Sequence, residues 1–474
     1  MLQSDSHDVG RPPRSLLVAA ACLGLAALTL LLPWDLSFDP WGWALWGREL
    51  TSAVPFSTSL YPSWKPLPVA FDALFAPAGD AGPELWLLIA RAGAIAALVL
   101  AYRLGSRLGG RVGGAVAVAG LVLMPEWLRH FAGGASEPLL VALVLGAIDR
   151  HLDGRRGHAL ALVFAAALLR PEAWPFLALY GVVWAWRKPR RLAIVAGLGL
   201  GLGVAWFVPE WIGAGNPFYG SLLARESLEA RQTQALQSPA LEALSRSLSL
   251  AMLPLSAAAL FEVAMARRRR ERVPLVLAAG ALAWVAIVVA MTAQGYAGLG
   301  RFALPAGAVT CVLGGAGIAR LRELAPPWRG ALAVGAALLV CIPFATPRAE
   351  RLDDATEVAA RPDSLEDQFP GVIAALGGRS HVLACGRMTV DGPFRPALAW
   401  RLGVPVRRLA LTRRPLLVIR LHRRVLQGFE GPQRLRRLAP VGRGRLIARR
   451  GGWDVMLTTR PTGCRSVPGR ARRS

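Results

Sequence analysis

Trp34-Asp35-Leu36-Ser37-Phe38-Asp39-Pro40-Trp41-Gly42-Trp43 follows an apolar run over about residues 15–33. That run is close to the roughly 20 apolar residues a helix needs to cross a bilayer. Asp39 is therefore expected where the chain leaves the membrane, among tryptophans of the kind that collect at the membrane–water interface. Ionisable groups at such depths are costly, and they are functional more often than those on soluble surfaces. No small-residue cleavage site precedes Asp39, so the first run reads as an uncleaved anchor.

Composition points the same way. The 474 residues are 54% hydrophobic yet carry a formal net charge of +25. Mean hydropathy is +0.41. A polytopic membrane protein with basic loops combines these values naturally, whereas a soluble protein rarely does. Only Lys65 and Lys188 among the 55 basic residues are lysines, a bias that says more about genome composition than about partners. The arginines lie in short loops between apolar runs and do not gather on one soluble face, which argues against a nucleic-acid partner.

Apolar spans fall at about 15–33, 84–102, 112–128, 138–149, 158–170, 173–187, 192–208, 248–265, 273–292, 302–319 and 330–346. These predict an all-α polytopic membrane protein with about 11 transmembrane helices. Arginine clusters occupy alternate connections: Arg103, Arg107 and Arg111, then Arg150, Arg155 and Arg156, then Arg187 to Arg191, Arg267 to Arg272, and Arg320 to Arg329. The positive-inside rule makes that side cytoplasmic. The connections at about 34–83, 129–137, 171–172, 209–247 and 293–301 are then outside.

The chain divides into residues 1–346 and a tail, 347–474, which is expected outside as a small α/β or α+β domain with a disordered end. Its short apolar runs, such as His381-Val382-Leu383-Ala384 and Pro415-Leu416-Leu417-Val418-Ile419, suit strands. Cys22, Cys311 and Cys341 lie in spans and read as packing residues. Cys385 and Cys464 share the tail, where an oxidising compartment would permit a bridge. No metal-ligand spacing is found.

Several outward polar residues are candidates for chemistry. Five of the sixteen tryptophans lie in the first external loop. Trp41 and Trp43 read either as interfacial anchors or as a wall for sugar or lipid. Lys65, in Trp64-Lys65-Pro66-Leu67-Pro68, is a cation that holds a lipid phosphate or snorkels at the interface. Arg170 and Glu172 flank Pro171 at a short turn, as a structural ion pair or as ligands. Arg301 opens Arg301-Phe302-Ala303-Leu304-Pro305, where a guanidinium fork suits a phosphate. Glu137 complements a helix dipole or faces the same cavity as Asp39. Asn216-Pro217-Phe218-Tyr219-Gly220 reads as a turn, with acceptor contact as the alternative.

In order and sidedness, Asp39, Lys65-Pro66-Leu67-Pro68, Glu137, Asn216-Pro217-Phe218-Tyr219 and Arg301-Phe302-Ala303-Leu304-Pro305 resemble the layout of GT-C glycosyltransferases. The resemblance covers about residues 15–346. That superfamily includes protein mannosyltransferases, aminoarabinose transferases and mycobacterial mannosyl- and arabinosyltransferases. The resemblance implies a hexosyl- or pentosyltransferase in a bacterial plasma membrane, working on the extracytoplasmic face. Its donor would be a polyprenyl-phosphate-linked sugar and its acceptor a glycan, lipid or protein hydroxyl. It also implies an inverting single displacement with Asp39 as general base. No cofactor is implied, and metal use is left open: the family's paired acids have no second member here unless Asp35 supplies it.

The main alternative is a transporter or flippase of a lipid-linked envelope precursor, which would also want outward arginines and embedded acids. Such proteins bind near the midplane and often show paired halves; neither feature stands out here. An envelope scaffold acting through its tail would leave the first-loop polar set without a role.

Overall fold

The computed structural model describes residues 14–32, 36–53, 56–59, 64–125, 127–324, 326–359, 365–386, 388–390, 394–409, 417–422 and 445–457. Asp35, Cys464 and residues 458–474 lie outside them. The first helix, α1, spans Arg14–Thr29. Two short helices then fill the first long connection, α2 (Phe38–Leu50) and α3 (Pro66–Phe75). α4 (Gly82–Val122) is two arms, with non-helical backbone at Gly109 and Gly110. Gly110 has φ +62°, a left-handed conformation that favours glycine at this reversal.

The helices α5 (Trp127–Ala132), α6 (Glu137–Leu152), α7 (Arg156–Leu169), α8 (Trp174–Ala185) and α9 (Pro189–Ala214) follow. α10 (Tyr219–Arg225), α11 (Leu228–Gln234) and α12 (Pro239–Leu248) occupy the second long connection. The helical part closes with α13 (Leu253–Arg269), α14 (Arg272–Ala293), α15 (Leu304–Arg320) and α16 (Pro327–Ala359). Each of the eleven apolar spans contains helix. By length and composition five helical stretches are able to cross a membrane, or six if the bent pair α12–α13 counts as one.

α15 is the central post. Nearly every residue from Leu304 to Arg320 is buried, and its glycines allow neighbouring backbones to touch it. A Cβ on Gly315 would lie 2.3 Å from the Gly113 carbonyl, and one on Gly317 2.0 Å from that of Ala258. α4 and α13 therefore pack against α15 at backbone distance. At the far end Arg320 clamps α15 through Glu262 (2.6 and 2.8 Å) and Glu271 (2.6 and 3.0 Å). Arg103, Arg107 and Arg150 meet Asp149 and Asp153 in a second cluster. Much of the loop charge is thus consumed locally by structural pairs.

The tail is α+β. Helices α17 (Phe369–Ala375), α18 (Arg379–Ala384) and α19 (Arg395–Leu402) surround a four-stranded sheet. Its strands are β1 (Met388–Val390), β2 (Leu417–Leu421), β3 (Arg445–Arg450) and β4 (Trp453–Leu457), in the order β1-β2-β4-β3. β1 runs parallel to β2, with α19 in the crossover, and the other pairs are antiparallel. The strand expected at His381–Ala384 is instead α18. Within it Val382 is buried, and Cys385, three residues on, is buried too; that is a helical spacing, not the alternation a strand requires. Cys22 and Cys311 are buried free thiols, and Cys385 is disulfide-bonded.

This sheet domain is seated on α2. Trp41, Trp43, Trp46, Trp64 and Trp86 share one buried apolar cluster with Phe369, Trp400 and Trp453 of the tail. Arg48 fastens the joint. Its guanidinium donates to the carbonyls of Trp400 (3.2 Å), Val404 (3.1 Å) and Ala399 (3.5 Å), and lies 4.6 Å above the Trp400 ring. Arg48→Ala removes these charge-assisted bonds and the packing on Trp400, while the Trp400 and Ala399 carbonyls keep the N–H groups of Gly403 and Val404; the cost is about 2 kcal/mol. The expected result is faster proteolysis within 365–457 at unchanged expression of the helical part. Cleavage at the wild-type rate would show that the joint does not depend on Arg48.

Candidate active site

Four charged side chains are set by the same local device, a proline directly after the charge. Asp39-Pro40 lies in the first turn of α2, Lys65-Pro66 enters α3, Glu137-Pro138 opens α6, and Arg170-Pro171 enters the turn before α8. Proline fits the first helical turn, where its missing N–H costs nothing, and it biases the preceding residue toward extended backbone. Lys65 (φ −140°, ψ 114°) and Arg170 (φ −148°, ψ 132°) are both extended. Arg301 sits in a 3₁₀ turn leading to Leu304-Pro305 at the start of α15. Charges scattered over more than 250 residues of sequence are thus delivered to the mouths of packed helices.

These five residues, with Glu172, line one cavity of about 420 Å³. At its charged end Glu137 is 2% exposed, and its Oε1 is shared by three cations. Arg170 donates to it at 3.0 Å, Arg301 lies at 3.8 Å and Lys65 at 4.0 Å. Burial pushes the Glu137 carboxyl up, but Lys65, Arg170 and Arg301 outweigh that and hold it well below the usual carboxylate range. Lys65 also donates to buried Ser136 Oγ at 2.7 Å. Its ammonium lies 4.7 Å above the Trp43 ring. Burial lowers Lys65 to about 8, opposed by the charges of Glu137 and Asp39.

Arg170 packs over Phe302 at 4.1 Å, with Arg301 at 5.6 Å from the same ring. The expected Arg170–Glu172 pair is loose, at 3.9 Å; Glu137 is the better partner. Lys65, Arg170 and Arg301 thus gather on Glu137, with Glu172 beside Arg170 and Asp39 acting on Lys65 from further off. Asp39 lies apart from the ion pairs, half-buried on the same cavity. The turn that carries it is pinned from below: the N–H and the hydroxyl of Ser37 both donate to the Gly133 carbonyl at 3.0 Å.

Trp41 and Trp43 are not among the residues that line this cavity. They are 3% and 0% exposed. Trp43 packs edge-on against Trp86 at 5.3 Å, and Trp41 lies 6.5 Å from Trp400. Trp400 and Arg401 of the tail pack on Trp41, whereas Trp43 is enclosed by Trp86 and the Lys65 ammonium. The aromatic surface of the cavity comes instead from Trp64, Trp174, Trp206, Phe207, Phe218 and Phe302. Asn216 makes the expected turn, its Oδ1 accepting from the Phe218 N–H at 2.9 Å.

Sequence reasoning passed over Glu210, a further acid on the cavity wall. It lies in α9, which continues through Pro209 to Ala214. A helix-interior proline leaves the carbonyl four residues earlier without its partner; here Trp64 Nε1 donates to that carbonyl, Ala205 O, at 3.0 Å. An acid directly after a proline at the end of an apolar span was the available signal. Among the described residues no group of three or more His, Cys, Asp or Glu is arranged to hold a metal ion.

The whole chain is similar in fold to ArnT from Cupriavidus metallidurans in the apo state. That structure has a TM-score of 0.50 and 15% identity, with 94% of this chain and 98% of that chain covered. ArnT from the same organism bound to undecaprenyl phosphate aligns at a TM-score of 0.49 and 14% identity, over 94% of this chain and 98% of that one. No protein-family model and no curated protein matches. The molecule therefore has the fold of ArnT, a GT-C-like, all-α polytopic membrane architecture with a small sheet domain at its C-terminus.

Proposed function

Starting from the GT-C fold, we propose that this protein transfers a sugar from a polyprenyl-phosphate carrier to an acceptor hydroxyl. The observation that carries the proposal is the single cavity at which Asp39, Lys65, Glu137, Arg170, Glu172 and Arg301 meet. Three cations clustered on one buried carboxylate are suited to a phosphate, and Asp39 stands on the same cavity without an ion-pair partner to consume it. The charges lie at helix mouths, which favours a site at one membrane face over a transporter's midplane site.

In the proposed reaction the acceptor oxygen attacks the anomeric carbon while Asp39 takes its proton. The bond from that carbon to the phosphate oxygen breaks, and polyprenyl phosphate leaves as an anion against Lys65 and Arg301. Inversion follows from the single displacement. No strong general acid is demanded, because the leaving group is already charged. Burial of Lys65 and Arg170 makes their contacts with a phosphate stronger than they would be in solution. Residues 1–346 would form the catalytic region and 347–474 an extracytoplasmic domain. The deciding experiment incubates purified protein with radiolabelled polyprenyl-phosphate hexoses and pentoses plus candidate acceptors. Consumption of one names the donor; consumption of none, under conditions in which the protein stays folded, removes the transferase reading.

Sidedness follows from the arginine clusters. Cysteines at the exposed positions Arg155 and Arg269 should be shielded from an impermeant thiol reagent in intact cells. Cysteines at exposed Glu226 and Ala375 should label readily. Labelling of the first pair alone would invert the topology and place the cavity in the cytoplasm.

A further inference from the structure

We infer that a second wall of the cavity is a sugar subsite, in which Glu210 Oε1 accepts a hydrogen bond from a ring hydroxyl. This rests on the transferase reading and specifies where a sugar ring lies. Trp206, Phe207 and Glu210 fall three and four residues apart on α9, the spacing that puts side chains on one helix face. Phe218, Gly220 and Ser221 come from the turn into α10, and all six residues line the cavity. Phe207 and Phe218 are in contact at 5.3 Å, joining the two segments into one surface.

Glu210 is 4% exposed, and its two oxygens are used differently. Oε2 accepts from the Gly220 N–H at 3.1 Å and from the Thr58 hydroxyl at 3.3 Å. Oε1 has no partner. A carboxylate oxygen can only accept, and buried acceptors in folded proteins are nearly always paired. Gly220 leaves space beside it, because a Cβ there would lie 2.7 Å from Oε1. For the ionised carboxylate, a fitting ligand group is a donor that reaches into an aromatic-walled site. A sugar ring has both halves of this chemistry: an apolar C–H face to lie on indole and phenyl rings, and hydroxyls at its edge. The three cations of the Glu137 cluster would hold the phosphate at the other part of the same cavity.

The test compares wild type, Glu210→Gln and Thr58→Ala. Glu210→Gln keeps the shape and an acceptor for Gly220 but presents an amide in place of the carboxylate. Thr58→Ala disturbs only the paired oxygen. Each protein is titrated with a polyprenyl-phosphate sugar and its single-deoxy analogues, followed by the fluorescence of the cavity tryptophans. Transfer is then measured with these donors and with single-deoxy acceptors.

Glu210→Gln should weaken use of the parent sugar about tenfold or more, chiefly in KM. One deoxy analogue should be handled alike by wild type and Glu210→Gln. Whether that analogue is a donor or an acceptor identifies whose ring occupies the wall. A uniform loss across all analogues, matching Thr58→Ala, would make Glu210 a loop fastener and overturn the subsite. Transfer unaltered by Glu210→Gln would also overturn it, leaving the transferase reading intact. Wild type that binds the sugars but transfers none would overturn the transferase reading alone; wild type that binds none of them would overturn both.

Discussion

Asp39→Asn is expected to lower turnover about 10²–10⁴-fold, the usual contribution of a positioned general base, while the lipid-linked donor still binds. The substitution keeps the size of the side chain and most of its hydrogen bonding but removes its capacity to take a proton. Folding should be retained for a local reason: the turn before α2 is held by Ser37 on the Gly133 carbonyl and by Pro40, not by Asp39. Single-turnover transfer and equilibrium donor binding, measured on the same preparation, separate the two effects. Asp35→Asn is the paired variant, since it is the other acid next to the first span. Normal turnover in Asp39→Asn with loss in Asp35→Asn would move the base to Asp35. Normal turnover in both would sink the proposed mechanism.

The fold class was legible because membrane helices are written in long apolar runs, and each of the eleven runs contains helix. Their ends carried the site. Charge–proline pairs at Asp39, Lys65, Glu137 and Arg170 mark helix starts, a mechanism that can be read locally. What could not be read locally was partner choice. Arg170 lies two residues from Glu172 but bonds Glu137, 33 positions away, because α6 and α7 pack side by side. The surroundings of the tryptophans are not local either. In sequence a tryptophan-rich loop after a membrane span looks interfacial or ligand-binding. The tail domain, more than 300 residues later, sets Trp400 against Trp41, and Trp43 packs on Trp86 under the Lys65 ammonium. Glu210 escaped because an acid after a proline reads as the end of a helix; here the helix runs on, and Trp64 satisfies the carbonyl that Pro209 frees.

Lys65→Ala is expected to weaken donor binding roughly tenfold or more, since a buried charge-assisted contact to phosphate contributes about 1.5–3 kcal/mol. The pH dependence makes this prediction specific. With Lys65 lowered to about 8 in the unliganded protein by burial, its ammonium is present below that pH and lost above it. Only the ammonium attracts the phosphate, so donor kcat/KM should be level below about pH 8 and fall above it toward the level of Lys65→Ala. Lys65→Arg retains a cation at every accessible pH and should move or abolish this limb. It should also bind the donor less well than wild type, because a planar fork must fit a site only 5% exposed, where a point charge now reaches Ser136. Arg301→Ala should weaken binding and keep the limb but move it to higher pH, because the Arg301 charge helps to lower Lys65. A limb that stays at the same pH in Lys65→Arg would belong to another group. Unchanged donor affinity in both alanine variants would separate these cations from the phosphate altogether.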